Sequence, residues 1–235
     1  VKKKTADLLA TGGIFAFGLS ERTHGADLYS SEMILVPQSD GTYLARGSKY
    51  YIGNGNCAAL VSTFAKIEGT GEYVFFVVDP KHEKYECVKK IDTSGVRQAY
   101  VAEYALHDYP ITEAEIVSRG EHAWNSSLNT INIGKFELGC ASIGIATHCF
   151  YEALNHAADR SLYGRYVTDF PHVQKLFTES YARLIAMKLV AFRSADYLRV
   201  ASDDDRRYLL FNPIVKMKVT CQGEKVVKCL HEIIA

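Results

Sequence analysis

No stretch of this sequence stays apolar for the ~20 residues that a membrane-spanning helix needs. Nor does it carry an excess of either charge: 27 Lys and Arg stand against 27 Asp and Glu, a formal net charge of zero. Nucleic-acid affinity comes from neutralised phosphates, so this balance gives no ground to expect nucleic acid as a partner. The six cysteines, at 57, 87, 140, 149, 221 and 229, form no CxxC pair, and the eight histidines form no HExxH pair. The sequence therefore predicts no metal site and reads the thiols as buried, reduced groups of a soluble intracellular protein. The opening VKKKTADLLATGG is basic at first, but its apolar part is too short and too broken for a signal peptide.

The 235 residues, 48% of them hydrophobic, suffice for one large domain or two moderate ones. Short runs rich in β-branched and aromatic residues fill the first half, at 13–17, 31–36, 42–47, 49–53, 59–67, 72–78, 85–91 and 99–106. Turn chemistry separates them (SDG, GNGN, EGTGE, DTSG), and no helical segment does. This pattern predicts an antiparallel β-barrel or sandwich over 1–120. Near residue 120 the period changes. Phe136, Cys140, Ile143, Thr147, Phe150, Leu154 and Ala157 recur at helical spacing. A second helix is expected from Pro171, with Val173, Leu176, Leu184, Met187, Ala191 and Leu198 inward, ending before the solvated connector SDDDRR. Asn212-Pro213 reads as the N-cap and first residue of a third helix, carrying Val215, Val219, Val226, Leu230 and Ile233. The class is α+β: a β-domain over 1–120, then part of an antiparallel helical bundle over 121–235. Ala235 falls inside an apolar periodic run without a stop signal. Three wide apolar faces also need a fourth partner. The chain is therefore expected to be a piece of a longer protein.

Residues 17–31, FGLSERTHGADLYSS, hold Ser20, Glu21, His24 and Asp27 within eight positions, more chemistry than a turn requires. In FGLSERTHGAD the order is aromatic, hydroxyl-Glu, then Gly-small-Asp. KYYIGNG (49–55), GVRQAYVAEYALHDYPI (95–111) and NIGKFELGCASIGIATHCFYEALNHAADRSLYGRYV (132–167) follow it. Together, in this order and at these separations, the segments resemble the acyl-CoA dehydrogenase family over nearly the whole chain. By that template the chain lacks the family's N-terminal helical domain and stops partway through the C-terminal bundle.

The resemblance implies FAD as cofactor. Phe17 and Leu19 would flank the flavin ring, Ser20 would offer it a hydroxyl, and the backbone around Gly25 and Ala26 would meet the pyrophosphate. Tyr51 stands at the family's flavin-stacking aromatic position, and Gly53 replaces the Thr that usually reaches flavin N5. Arg160, Tyr163, Val167 and Phe170 would reach the partner subunit's FAD, a guanidinium suiting a pyrophosphate. Asn132 and Lys135 would lie near the acyl-thioester. Ala26 for Ser, Arg22 for Pro, Ala99 for Ser and Pro171 for Gln are further departures, placing the chain in a divergent branch.

The implied reaction is α,β-dehydrogenation of an acyl-CoA in fatty-acid β-oxidation. Electron-transfer flavoprotein or oxygen would be the acceptor, and the protein a homodimer or homotetramer in the bacterial cytoplasm or mitochondrial matrix. The catalytic carboxylate is expected beyond Ala235, because the other position the family uses is Gly134 here. The fragment alone is thus expected not to turn over. Two alternatives remain open at this level: an acyl-CoA oxidase of the same fold, and a non-catalytic scaffold that has lost flavin.

Overall fold

The computed structural model describes residues 1–202 and 204–234; Asp203 of the SDDDRR connector and Ala235 lie outside the described residues. The chain divides into two compact units, Val1–Ser127 and Leu128–Ala235.

The first unit opens with a helix the sequence did not announce, α1 (Lys2–Ala10), which buries none of its residues. Strands β1 (Phe15–Gly18), β2 (Ile34–Pro37), β3 (Tyr43–Gly53), β4 (Leu60–Ile67), β5 (Tyr73–Val78), β6 (Tyr85–Lys90), β7 (Val101–Ile111) and β8 (Ile116–Arg119) form one open sheet. Its order is β6-β7-β3-β2-β4-β5-β8, with β1 also on β4. The barrel alternative is thus not realised; the sheet keeps two edges. Most pairings are antiparallel, but β1 and β2 both run parallel to β4. The segments 42–47 and 49–53 are one strand, because Ser48 stays in the ladder opposite Ala105. β4 and β5 are buried on both faces, which is why they read as continuous apolar runs and not as alternation. Met33, Leu35, Val61, Phe76 and Tyr104 form the core between them.

Helix α2 (Gly120–Asp159) leads into the second unit, followed by a short hairpin, β9 (Ser161–Leu162) and β10 (Arg165–Tyr166), and by α3 (Pro171–Arg199). On α2 the buried line is Asn132, Gly139, Ala146 and Ala153, with Ala157 one turn on. It lies beside the expected face, whose Cys140, Thr147 and Leu154 are exposed. Small residues at the contact let the backbones approach, and the larger apolar side chains flank it. A Cβ at Gly139 would overlap the Val215 side chain. Val173, Leu184, Met187 and Ala191 of α3 are buried as expected, with Leu176 and Leu198 half-buried.

The third helix differs from its expected form. It begins at Tyr208, so Asn212 is not a cap. α4 (Tyr208–Ile214) carries Pro213 inside it, passes through a π-helical turn (Val215–Val219), and continues as α5 (Thr220–Ile234). All five apolar residues assigned to it are buried. The thiols correct the sequence reading: Cys57, Cys87, Cys140 and Cys221 are exposed, and Cys149 and Cys229 are half-buried. Among the described residues no helix is long and apolar enough to cross a membrane.

Candidate functional site

β1 and β2 lie along the same edge of β4. Gly18 pairs opposite Thr63, and Ile34 opposite Lys66. The chain between them, residues 19–33, leaves the sheet and returns three residues further along that edge. Its neck is closed by a buried ion pair. Lys49 of β3, 0% exposed, donates from Nζ to the Glu21 carboxylate at 2.8 Å and to the Leu19 carbonyl at 2.9 Å. The same carboxylate accepts from Ser31 Oγ (2.6 Å), the Glu32 N–H (2.7 Å) and the Met33 N–H (3.1 Å). The Tyr50 N–H donates to the Ser20 carbonyl at 2.9 Å. One carboxylate and one ammonium thus hold both ends of the loop.

The electrostatics match this enclosure. Burial pushes Lys49 down to about 8, against the pull of Glu21. Burial would raise Glu21, but the Lys49 charge and the hydrogen bonds from Glu32, Lys49 and Ser31 hold its carboxyl below the usual range. Arg22 ion-pairs with Glu103 at 2.6 Å and lies 4.5 Å from the Tyr50 ring centroid.

The structure brings several predicted residues together around this neck. Phe17 stacks on Phe75 at 5.7 Å, Leu19 is buried, and Ser20 is joined through its carbonyl to the strand that carries Tyr51 and Gly53. Tyr51 is 55% exposed, with a left-handed backbone at φ 67° in a bulge of β3. Gly25 and Ala26 are exposed in the body of the loop. A Cβ at Gly25 or Gly53 would meet no atom within 4 Å, so the chain leaves its backbone accessible at both positions.

Within the second unit, Arg160 and Val167 meet at the base of the short hairpin, where the Val167 N–H donates to the Arg160 carbonyl at 2.9 Å. Tyr163 is at its tip, 95% exposed, beside Gly164 at φ 74°, a turn that needs left-handed backbone. Phe170 follows, its ring centroid 5.2 Å from the Arg165 guanidinium. Lys135 is half-buried on α2.

Asn132 has an internal task that sequence reasoning missed. Pro213 lacks an N–H, so the carbonyl four residues earlier, that of Leu209, loses its helical donor. Asn132 Nδ2 supplies one at 3.2 Å, while its Oδ1 accepts from Asn212 Nδ2 at 2.7 Å. Ser194 Oγ donates to Asn212 Oδ1 at 2.6 Å, tying α2, α3 and α4 together. Replacing Asn132 by Ala leaves the buried Asn212 amide and the part-buried Leu209 carbonyl without these partners. We expect a loss of about 1–3 kcal/mol, read from chemical denaturation followed by helix ellipticity. Unchanged stability would mean that the network contributes nothing.

Glu21, His24 and Glu32 also bring three ligand-type atoms within 4.8 Å of one another. The expectation of no metal site did not anticipate this cluster, whose Glu21 oxygens are already committed to Lys49, Ser31 and two backbone N–H groups.

Comparison with known proteins agrees with both units. Residues 16–109 match the family model for the acyl-CoA dehydrogenase middle domain, and 122–234 that for the acyl-CoA dehydrogenase C-terminal domain. The probable short/branched chain specific acyl-CoA dehydrogenase of Dictyostelium discoideum is 23% identical over 83% of this chain and 48% of its own length. A short-chain specific acyl-CoA dehydrogenase of Clostridium acetobutylicum is 26% identical over 94% of this chain and 60% of its own. The chain thus spans about half the length of the curated relatives it matches. The butyryl-CoA dehydrogenase structure from Megasphaera elsdenii superposes with a TM-score of 0.87 at 19% identity, covering 97% of this chain and 59% of that one. With both of its units matched in sequence and in fold, this chain belongs to the acyl-CoA dehydrogenase family.

Proposed function

We propose that the chain supplies the middle and C-terminal domains of an FAD-dependent acyl-CoA dehydrogenase that introduces an α,β double bond into an acyl-CoA thioester. The observation that carries this reading is the latched loop 19–33. Its neck is buried and closed by an ion pair, while its body presents accessible glycine backbone, a combination suited to a dinucleotide. A bound flavin supplies the acceptor for the hydride that leaves Cβ.

This chain's residues then bind and orient. Phe17, Leu19, Ser20, Tyr51 and Gly53 border the ring, and Gly25 and Ala26 offer backbone N–H groups to the phosphates. Arg160, Tyr163 and Phe170 would present a cationic, aromatic hairpin to a partner subunit's cofactor; Val167, expected beside them, is buried in the core and supports the hairpin from beneath. Lys135 stands on the thioester side, and Asn132 contributes by fixing the helix beneath it. Removing the Cα proton needs a carboxylate shielded from water. Gly134 offers none, and Glu137, three residues on, is exposed on another side of α2. The base therefore lies outside this chain, which does not turn over alone. Electron-transfer flavoprotein, or oxygen, takes the electrons onward.

The test is the full-length protein, purified and titrated with FAD, then given a panel of acyl-CoAs and an artificial electron acceptor. We expect a yellow protein that reduces the acceptor. Stoichiometric peroxide would make it an oxidase, and a colourless protein that refuses FAD would make it a scaffold. Turnover by the 235-residue chain itself would show that the base has been misplaced.

A further inference from the structure

We infer that Glu21 and Lys49 are positioning residues: their buried pair closes the neck of loop 19–33 and thereby fixes the edge that the proposed cofactor site presents. The inference deepens the flavin reading and rests on it for the identity of the ligand. Four observations carry it. First, β1 and β2 occupy one edge of β4, so the loop is an excursion from an otherwise continuous edge, and its two ends must be held side by side. Second, hydrogen bonds concentrate at that point. The Glu21 carboxylate, on the outgoing strand of the neck, accepts from Ser31, Glu32 and Met33 on the returning one. Third, the cation comes from neither end. Lys49 belongs to β3, and its ammonium lies 5.9 Å from the ring centroid of Phe64, one of the two β4 residues in the gap between the two pairings. The neck is thus pinned to a third strand and to the aromatic floor beneath it.

Fourth, the carbonyls of Leu19 and Ser20 are both spent on β3, on Lys49 Nζ and on the Tyr50 N–H. With both carbonyls fixed, the peptide planes at the start of the loop have one orientation. The start of the loop at Ser20 is thereby oriented from β3, and the turn that follows is closed by the His24 N–H donating to the Glu21 carbonyl at 3.3 Å. Between the neck residues, Arg22 and Thr23 are exposed and Gly25, Ala26 and Asp27 likewise. Further on, Leu28 is buried and Tyr29 packs on Trp124, so it is the largely exposed segment 23–27 whose placement descends most from the neck.

Hydrogen–deuterium exchange on the full-length protein, wild type against Glu21→Gln, tests this. Gln keeps the size of the side chain but accepts through one oxygen only and leaves Lys49 without its counter-charge. Peptides spanning 19–33 should exchange at least about 10-fold faster in the variant, while those from β5 and β7 keep their protection. At saturating FAD, the visible circular dichroism of the bound flavin should change in shape, a signal that a merely stabilising pair would not move. Should Glu21→Gln loosen the whole sheet, Glu21→Asp, which keeps the charge but shortens the reach, is expected to free the loop alone. Unaltered loop exchange in both variants overturns the inference, as does an unaltered flavin spectrum. A wild-type protein that takes up no FAD overturns the cofactor reading instead, and the exchange comparison still decides the neck.

Discussion

Lys49→Met is expected to destabilise the first unit by about 3–5 kcal/mol, the range for removing one partner of a buried ion pair. The ammonium is fully enclosed, and its loss strands the Glu21 carboxylate with three neutral donors and no counter-charge. Urea unfolding followed by the emission of Trp124, the only tryptophan of the sequence and packed between Tyr29 and Tyr73, reads the change in this unit. The pH dependence separates a lost charge pair from lost packing. In the wild type the folded-state value of Glu21 is depressed. Its contribution is therefore complete above its ordinary value of 4.5 and is lost as pH falls through the lowered one. In Lys49→Met the carboxyl is buried without a cation and its value rises, so protonation relieves the variant. The gap between the two proteins should begin to narrow above 4.5, as the variant's raised carboxyl takes up its proton, and narrow further below 4.5 as the wild type loses the pair. A gap that stays constant from neutral pH to acid would assign the cost to cavity formation alone.

Gly18→Ala should cost about 3 kcal/mol, the upper end for forcing a methyl group into a well-packed core. A Cβ at this position would overlap the Tyr104 hydroxyl and come within 3.1 Å of the Ser62 carbonyl. Neither neighbour can retreat. Ser62 is sheet backbone, and Tyr104 is completely buried, its hydroxyl 2.7 Å from Thr63 Oγ1 and its ring stacked on Tyr85 at 4.8 Å. Burial also drives the Tyr104 hydroxyl well above its ordinary range, keeping it protonated as a hydrogen-bonding group. Adding Tyr104→Phe to Gly18→Ala removes the overlapping atom and should return much of the loss. If the double variant is no better than the single one, the clash is not the cause.

The sequence was informative where one property dominated. Alternating and continuous apolar runs located seven of the strands in the first unit, since burial of a strand leaves its mark on composition. β8 was missed because IVSR, at 116–119, is four residues with one outward Val and a terminal Arg. The third helix was started late because Asn-Pro reads as a cap and first turn wherever it occurs. Nothing local says that Asn132, 80 residues away, is there to satisfy what the proline leaves open. The face of α2 was offset because large apolar residues were weighted over the Gly and Ala that let helices close up. Around the loop, residue types pointed to cofactor chemistry, but the pair that closes its neck was invisible as a pair. One signal was available: Lys49 shares strand parity with the buried Ala45, an inward position where a lysine requires a partner.

The bulge in β3 has a consequence for how this region can vary. Lys49 and Ile52 both face inward although they stand three positions apart, whereas a regular strand would send them to opposite sides. Opposite them, β7 advances only from Tyr104 to Ala102, and the surplus residue is absorbed where Tyr51 turns left-handed. Whether a lysine reaches the interior is therefore decided by arithmetic along the backbone. Deleting a single position there would give an even spacing that keeps both side chains inward, but it would remove the left-handed turn at which Tyr51 leaves the ladder. Between 49 and 52, the extra residue secures the outward, exposed placement of Tyr51 while Lys49 and Ile52 on either side of it stay buried.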